Sequence, residues 1–356
     1  MNKRIYVLAM VFVALLSCEK QSNLLIESIE TDYTNKEGKE ISGKPLLKSI
    51  LGCHNILVFD SLLIAITDNP DAQLLVLNAN TLDTIGAFCK RGRAKNEFMK
   101  AYSPTKQIYE KNGHIIVPLI DYLDVVKEVD ITESINRGYT VVISNESCLR
   151  FVDGQTFFID NDINKRFEYL YNKYDGEEIK KVPCVYSINN YGQKTKEIKI
   201  FRRLLQVEKE ELLECPFGSM LLKNPTNNTF VNMFENMDYL IFFDLDKKKT
   251  FAVHQQGSST FDDPFSYDRE YYFNNGCCTS NYALLLYYHG DDSMKEPDKM
   301  KRKAELIIFD WNGNFIEYIK LDRRLASIGF DETNKKLFGL TFTEELYEYD
   351  LSTLLP

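Results

Sequence analysis

The feature that most constrains this chain is a repeat. Short apolar runs of strand length come in groups of four, divided by turn residues, with a period of about 50 residues, the spacing of propeller blades. Residues 56–60 (ILVFD), 62–67 (LLIAIT), 74–78 (LLVLN) and 85–88 form the first group, with Asn69-Pro70-Asp71 and Asn80-Thr81 as turns. The second runs through 107–109, 114–119, 124–129 and 139–143, and the third through 148–152, 156–159, 167–171 and 182–187. The fourth takes 220–222, 229–233, 239–243 and 250–254, and the fifth 271–273, 282–288, 304–310 and 315–320. The sixth holds only 326–331, 336–341 and 346–350. Asp153-Gly154 and Asn312-Gly313 are hairpin dipeptides. The 23 Phe and 21 Tyr suit strands that are at least half buried.

Such a pattern predicts an all-β chain: a six-bladed β-propeller with four-stranded antiparallel blades and one short helical insertion. The sixth group lacks a strand. Residues 45–51 (PLLKSIL) are placed to supply it, closing the ring and removing the open sheet edges. The helical exception is 201–214 (FRRLLQVEKEELLE), with Leu204, Leu205, Leu212 and Leu213 as its apolar positions. The charged stretch 291–302, which contains Pro297, reads as a long hairpin loop in the fifth blade.

The N-terminus carries a separate signal. Lys3 and Arg4 precede an apolar run over 5–16, shorter than the roughly 20 residues a bilayer span needs. A run of this length suits a signal peptide. It ends in Leu15-Leu16-Ser17-Cys18, which resembles a lipobox and implies cleavage before Cys18, thioether diacylation of Cys18 and acylation of the new amine. Two or three acyl chains, palmitate-like in length, hold a protein on a membrane. Residues 19–39 are polar and read as a tether. Glu19 is not the Asp that retains some lipoproteins at the inner membrane, so an outer-membrane lipoprotein of the cell envelope is expected, on either its periplasmic or its surface face. The expected layout is a signal peptide at 1–17, a lipidated tether at 18–44 and the propeller at 45–356.

A formal net charge of −9, made more negative by loss of Lys3 and Arg4, argues against nucleic acid as a partner. Eight Cys become seven once Cys18 is acylated, with no C-x-x-C pair. They read as buried free thiols, with Cys277-Cys278 open to a vicinal disulfide. His54, His114, His254 and His289 do not fall at equivalent blade positions, and no acidic run has the spacing of a metal loop. Nucleophile elbow, H-E-x-x-H and Walker patterns are missing. No catalytic, cofactor-binding or metal residue is assigned, and no cofactor is expected.

Two stretches carry a family resemblance. Residues 85–98 (IGAFCKRGRAKNEF) look like the segment between the first two blades of the TolB-like six-bladed propeller lipoproteins of Bacteroides-type bacteria. Arg91, Gly92, Arg93, Glu97 and Phe98 match, while Ala94 and Lys95 stand where Gly and Pro are usual. Residues 330–351 (FDETNKKLFGLTFTEELYEYDL) are similar to the final blade of the same family. The resemblance implies fold and compartment rather than a reaction. Read from the residues, Gly92 permits a tight or left-handed turn, Phe98 plugs the seam between blades, and Glu97 pairs with Arg91 or Arg93 or accepts backbone N–H groups. The expected function is a non-catalytic binding or scaffold module for an envelope protein or glycan. The alternative is a lactonase-like, metal-dependent hydrolase or lyase with its site in the central channel.

Overall fold

The blades are apolar strands joined by tight turns, many with a left-handed position on Asp, Asn or Gly, though Leu82, Lys248, Lys335 and Glu344 also take it. Asp60 (φ 53°), Asn112 (55°), Asp160 (54°) and Gly313 (80°) are such positions. At the last of these, the Asp310 carboxylate accepts the Asn312 and Asn314 N–H groups. The computed structural model describes residues 24–34, 37–103, 105–122, 125–147, 154–175, 178–201, 218–257, 271–291 and 303–355.

Six four-stranded antiparallel sheets form the ring. Blade 1 is Cys53–Phe59, Leu62–Thr67, Leu74–Asn78 and Thr84–Phe88; blade 2 is Tyr109–Lys111, His114–Asp121, Val125–Asp130 and Val142–Ser147. Blade 3 is Gly154–Ile159, Asp162–Asp175, Glu178–Asn190 and Gln193–Ile198; blade 4 is Ser219–Lys223, Thr229–Phe234, Tyr239–Asp244 and Lys249–Gln255. Blade 5 is Tyr271–Cys278, Tyr282–Asp291, Glu305–Asp310 and Phe315–Leu321. Blade 6 takes Leu325–Asp331, Lys336–Thr341 and Leu346–Asp350 from the C-terminal end of the chain and Lys44–Leu47 from the N-terminal end. The expected closure is therefore present, with Leu346 opposite Leu47 and Tyr347 opposite Pro45.

Hydrophobic clusters fill the seams between neighbouring blades, as two faces of each sheet must be covered. Toward the channel, where inner strands meet without a shared ladder, side chains stand in for the missing backbone bonds. Gln107 exchanges a pair of bonds with Phe158 of blade 3 (3.1 and 3.2 Å), and Gln155 bridges Ser219 and Leu221 of blade 4 (2.6 and 2.7 Å). Asn224 donates to Ser280 O (3.1 Å), Asn275 accepts from Ile328 N (3.3 Å), and Ser327 accepts from Ile56 N (3.1 Å). Each such pair satisfies groups that burial would otherwise penalise.

Three sequence expectations change. The stretch read as a tether is laid on the ring from Leu24 onward. Glu27–Thr31 pairs in parallel with the outer strand of blade 4, and Lys39–Ile41 with that of blade 5, each adding a fifth strand. Between them Tyr33 is fully buried in the seam of blades 4 and 5; its hydroxyl bonds the Asp238 carboxylate, which also accepts from Tyr287 (2.9 Å). A helix, Ile131–Arg137, stands between the third and outer strands of blade 2 where only a loop was expected. Asp130 caps it by accepting from Glu133 N (2.8 Å), and Gly138 ends it at φ 72°. Blade 3 is shifted: its inner strand is Gly154–Ile159, and its outer strand is Gln193–Ile198, polar except for Ile198. The expected strand at 148–152 and most of the expected helix at 201–214 lie outside the described residues, as do the loop at 292–302 and Cys18.

Candidate functional site at the channel mouth

The inner strands converge on a central channel that opens at one mouth into a cavity of about 520 Å³. All six blades, or the segments leading into them, contribute to its wall, among them Ile56, Lys106, Asn161, Lys223, Cys278 and Phe330. Two lysines dominate its electrostatics.

Lys106 lies in the segment entering blade 2, with a left-handed backbone (φ 49°) that turns its side chain inward. Its ammonium donates to Asn275 Oδ1 (2.6 Å), Ser327 Oγ (2.8 Å) and the Ile328 carbonyl (2.8 Å), so three neutral oxygens use its three protons. Ser327 donates onward to Asn55 Oδ1 (2.7 Å), tying blades 1, 5 and 6 to one cation. Burial disfavours the charged form and brings the Lys106 pKa down to about 7.

Lys223 ends the inner strand of blade 4 and is 6% exposed. Among the described residues its ammonium has one acceptor, the Asn224 carbonyl at 3.1 Å, which leaves two protons for the cavity. Burial lowers its pKa to about 8. Among the described residues, no carboxylate is within ion-pair distance of either lysine. Asp160 and Asp246 act on Lys223 only from beyond ion-pair distance, and with the Lys106 protons already taken, Lys223 is the donor that this pair of lysines offers the cavity.

Asp60, Glu110, Asp331 and Glu332 also line this cavity. Glu332 accepts from Ser280 (3.0 Å) and Asn281 (2.6 Å), and Asp331 accepts from Asn334 in its own hairpin. Cys277 and Cys278 are free thiols. Burial pushes the Cys278 pKa up to about 12 and that of Cys277 higher still, so both stay protonated at neutral pH. Cys278 donates to the Lys223 carbonyl at 3.0 Å.

Across the Lys106–Asn275–Ser327 constriction, a second cavity of about 260 Å³ is lined by His54, Tyr102, Gln155 and Glu235, among others. The described histidines, His54, His114 and His254, do not meet. His54 lines this second cavity, His114 pairs with Asp130 (2.7 Å) at the blade 2 helix, and His254 is buried against Tyr239. Among the described residues, no three His, Cys, Asp or Glu side chains stand together as a metal site. Trp311 donates from Nε1 to the Thr279 carbonyl (3.0 Å) and packs on the cluster between blades 4 and 5.

The motif at 91–98 is elsewhere, at the crossover from blade 1 to blade 2. Arg91 and Arg93 are exposed, and Glu97 reaches back to the Ala94 N–H (3.0 Å) rather than to an arginine. Gly92 does not have a left-handed backbone; a Cβ there would lie 1.9 Å from Glu97 Oε2, so a side chain would displace the Glu97 carboxylate from its bond to Ala94. Phe98 is fully buried in the cluster between blades 1 and 2, with Lys127 4.6 Å above its ring. Gln73 clamps the crossover from below, donating to the Phe98 carbonyl (2.8 Å) and accepting from Ala101 N (2.8 Å). Phe98→Ala is expected to cost about 3–5 kcal/mol, the range for a buried aromatic, as a fall in the urea midpoint at unchanged m-value. A loss under 1 kcal/mol would remove Phe98 from the seam.

No protein-family model matches the chain, and no curated protein matches it. Among solved structures it is similar to a putative exported protein from Bacteroides fragilis, with a TM-score of 0.48 at 10% identity over 91% of this chain and 98% of that one. It is also similar to Raptor from Chaetomium thermophilum (TM-score 0.47, 8% identity, 87% of this chain), though it spans only 29% of that chain's length. A third similar structure is the β-propeller domain of Cps50 (Swd1) from Myceliophteria thermophila, with a TM-score of 0.42 at 9% identity over 87% of this chain and all of that one.

Proposed function

We propose that the chain is a lipid-anchored binding module of the cell envelope, related to the TolB-like propeller lipoproteins, whose channel mouth takes a carboxylate-bearing saccharide unit. The observation that carries this reading is Lys223, buried in the cavity wall with two ammonium protons unclaimed among the described residues. A ligand carboxylate satisfies them and adds a contact countercharge to the more distant Asp160 and Asp246. The carboxylates of Asp60, Glu110, Asp331 and Glu332 suit the hydroxyl donors of a sugar ring. A volume of about 520 Å³ lies in the range of small-ligand sites. The envelope location rests on the signal peptide and Cys18.

Titration calorimetry with glucuronate-containing oligosaccharides tests the reading. Lys223→Met is expected to weaken binding at least tenfold, about 1.4 kcal/mol, the scale of one charge-assisted hydrogen bond. Binding is also expected to weaken from pH 7 to pH 9, because the free ammonium loses its proton near pH 8. Equal affinity of the wild type and Lys223→Met, or binding only of acidic peptides, would overturn it.

A further inference from the structure

The N-terminal end of the described chain lies at one point on the rim. Leu24 is 3% exposed, bridges Phe201 and packs in the cluster between blades 3 and 4. Leu25 N donates to the Ile200 carbonyl (2.8 Å), and its side chain is 49% exposed. From there the chain follows the rim through the parallel strands to blade 6.

We infer that the seam between blades 3 and 4 is the membrane-facing edge of the propeller, and that its lysines rest on anionic phospholipid headgroups. The inference rests on lipidation of Cys18. From Cys18 to Leu24 there are six residue steps, which span at most about 20 Å when fully extended. With strands about 4.8 Å apart, five of them put the rim more than about 20 Å from the channel, so the opposite rim is far beyond that tether's reach.

Charge favours the same edge. The outer strand of blade 3 and the residue after it expose Lys194, Lys196 and Lys199; the last turn of blade 4 exposes Lys247, Lys248 and Lys249. Lys194 pairs with Glu197 (2.9 Å) and Lys247 with Asp244 (2.9 Å). Lys196, Lys199, Lys248 and Lys249 make no ion pair among the described residues. The register of Glu27 opposite Phe251 brings the entering chain past Lys249. Glu27, Glu30 and Asp246 are exposed on the same edge, but its six lysines leave it less anionic than the chain as a whole, which carries −9, so an anionic surface repels this seam least. Edge-on seating leaves both channel mouths open to the side.

The test uses the full lipidated protein in vesicles of phosphatidylethanolamine and phosphatidylglycerol with an acceptor dye on the headgroups. A donor dye is placed at Lys196, or at Thr84 on the outer strand of blade 1. Energy transfer from position 196 is expected to be several-fold greater than from position 84. Inserting 20 Gly/Ser residues after Asn23, a coil of about 25 Å, is expected to reduce that bias. Combining the insertion with K199E, K248E and K249E is expected to abolish it. Equal transfer from the two positions with the native linker overturns the orientation. The anchor is read separately by the mass of the N-terminal peptide and by release of Cys18→Ala from membranes. Lipidated Cys18 with equal transfer refutes the edge-on seating alone, whereas an unacylated Cys18 refutes the anchor on which it rests.

Discussion

A chain shortened to begin at Gly52 is expected to show no cooperative unfolding transition. Its sixth blade would lose Lys44–Leu47, leaving Leu346–Asp350 as an open edge beside the first blade. Leu46 and Leu47 would no longer pack on the cluster that joins blades 1 and 6. Gly43 N would no longer bond Asp322 (3.0 Å), nor Ile50 N the Glu344 carbonyl (3.0 Å). Both parallel strap strands go as well, and so does Tyr33, itself worth about 3–5 kcal/mol as a buried aromatic. Folded domains are stable by only roughly 5–15 kcal/mol, so losing the closing strand, both straps and Tyr33 together is expected to remove the margin. The physical point is the ring: each blade is buried only if both neighbours are present, so opening one seam exposes two sheets. A shorter deletion, residues 24–43, keeps the closing strand and is expected to retain a transition, at a lower urea midpoint. Near-UV circular dichroism followed through a urea titration separates the two. If the Gly52 chain unfolds at the full-length midpoint, the closure is dispensable and the account of stability is wrong.

The second large effect is a pH dependence set by Lys106. Its ordinary pKa of 10.5 falls to about 7 in the folded protein, because its ammonium is buried among neutral oxygens. A lowered lysine pKa means that the unfolded chain binds the extra proton between the two values. Stability therefore rises with pH across that window, by about 1.4 kcal/mol per pH unit from this group alone. Below about pH 7 the penalty of the buried charge is fully present; toward pH 10 most of it is gone. Other groups titrate in the same range, so the measurement is a difference. Unfolding free energies of the wild type and Lys106→Met, taken from pH 6 to 10, are expected to diverge in favour of the wild type as pH rises, by a few kcal/mol in total. Parallel curves would show that Lys106 keeps an ordinary pKa. Met removes the charge and nearly matches the length, but leaves Asn275, Ser327 and Ile328 each short of a donor. The absolute stability of the variant is thus less informative than its slope.

The blade pattern was legible because antiparallel hairpins are local. Residues 62–67 and 74–78 alternate or run apolar between Asn, Pro and Asp turns, and the strands form there. The same logic explains the errors. Gln193–Ile198 is an exposed outer strand, so nothing in QKTKEI alternates, and its absence from the count pushed the third blade one strand toward the N-terminus. Glu27–Thr31 and Lys39–Ile41 pair in parallel with strands more than 200 residues away, and a parallel pairing needs no turn signal. The helix at Ile131–Arg137 did leave a signal: Asp130 with Glu133 three residues on, and Gly138 at the end. It was overshadowed by the strand period.

The site was almost illegible. Lys106 and Lys223 are 117 positions apart, and lysines in short loops and strand ends read as solvated. Cys277 and Cys278 were visible as a pair, but their protonation follows from burial in the channel wall. The motif at 91–98 was the reverse case: conspicuous as a string, it proved to be a crossover in which Glu97 and Phe98 hold backbone and seam.

By itself the sequence determined the number of blades, their strand order and the closing strand, since periodicity and turn chemistry act over a few residues. Only the tertiary structure decided which residues meet at the channel, which lysines lose their solvent and where the N-terminal strap is fixed. Those outcomes depend on desolvation and on pairings between residues far apart in the chain, and neither leaves a local pattern.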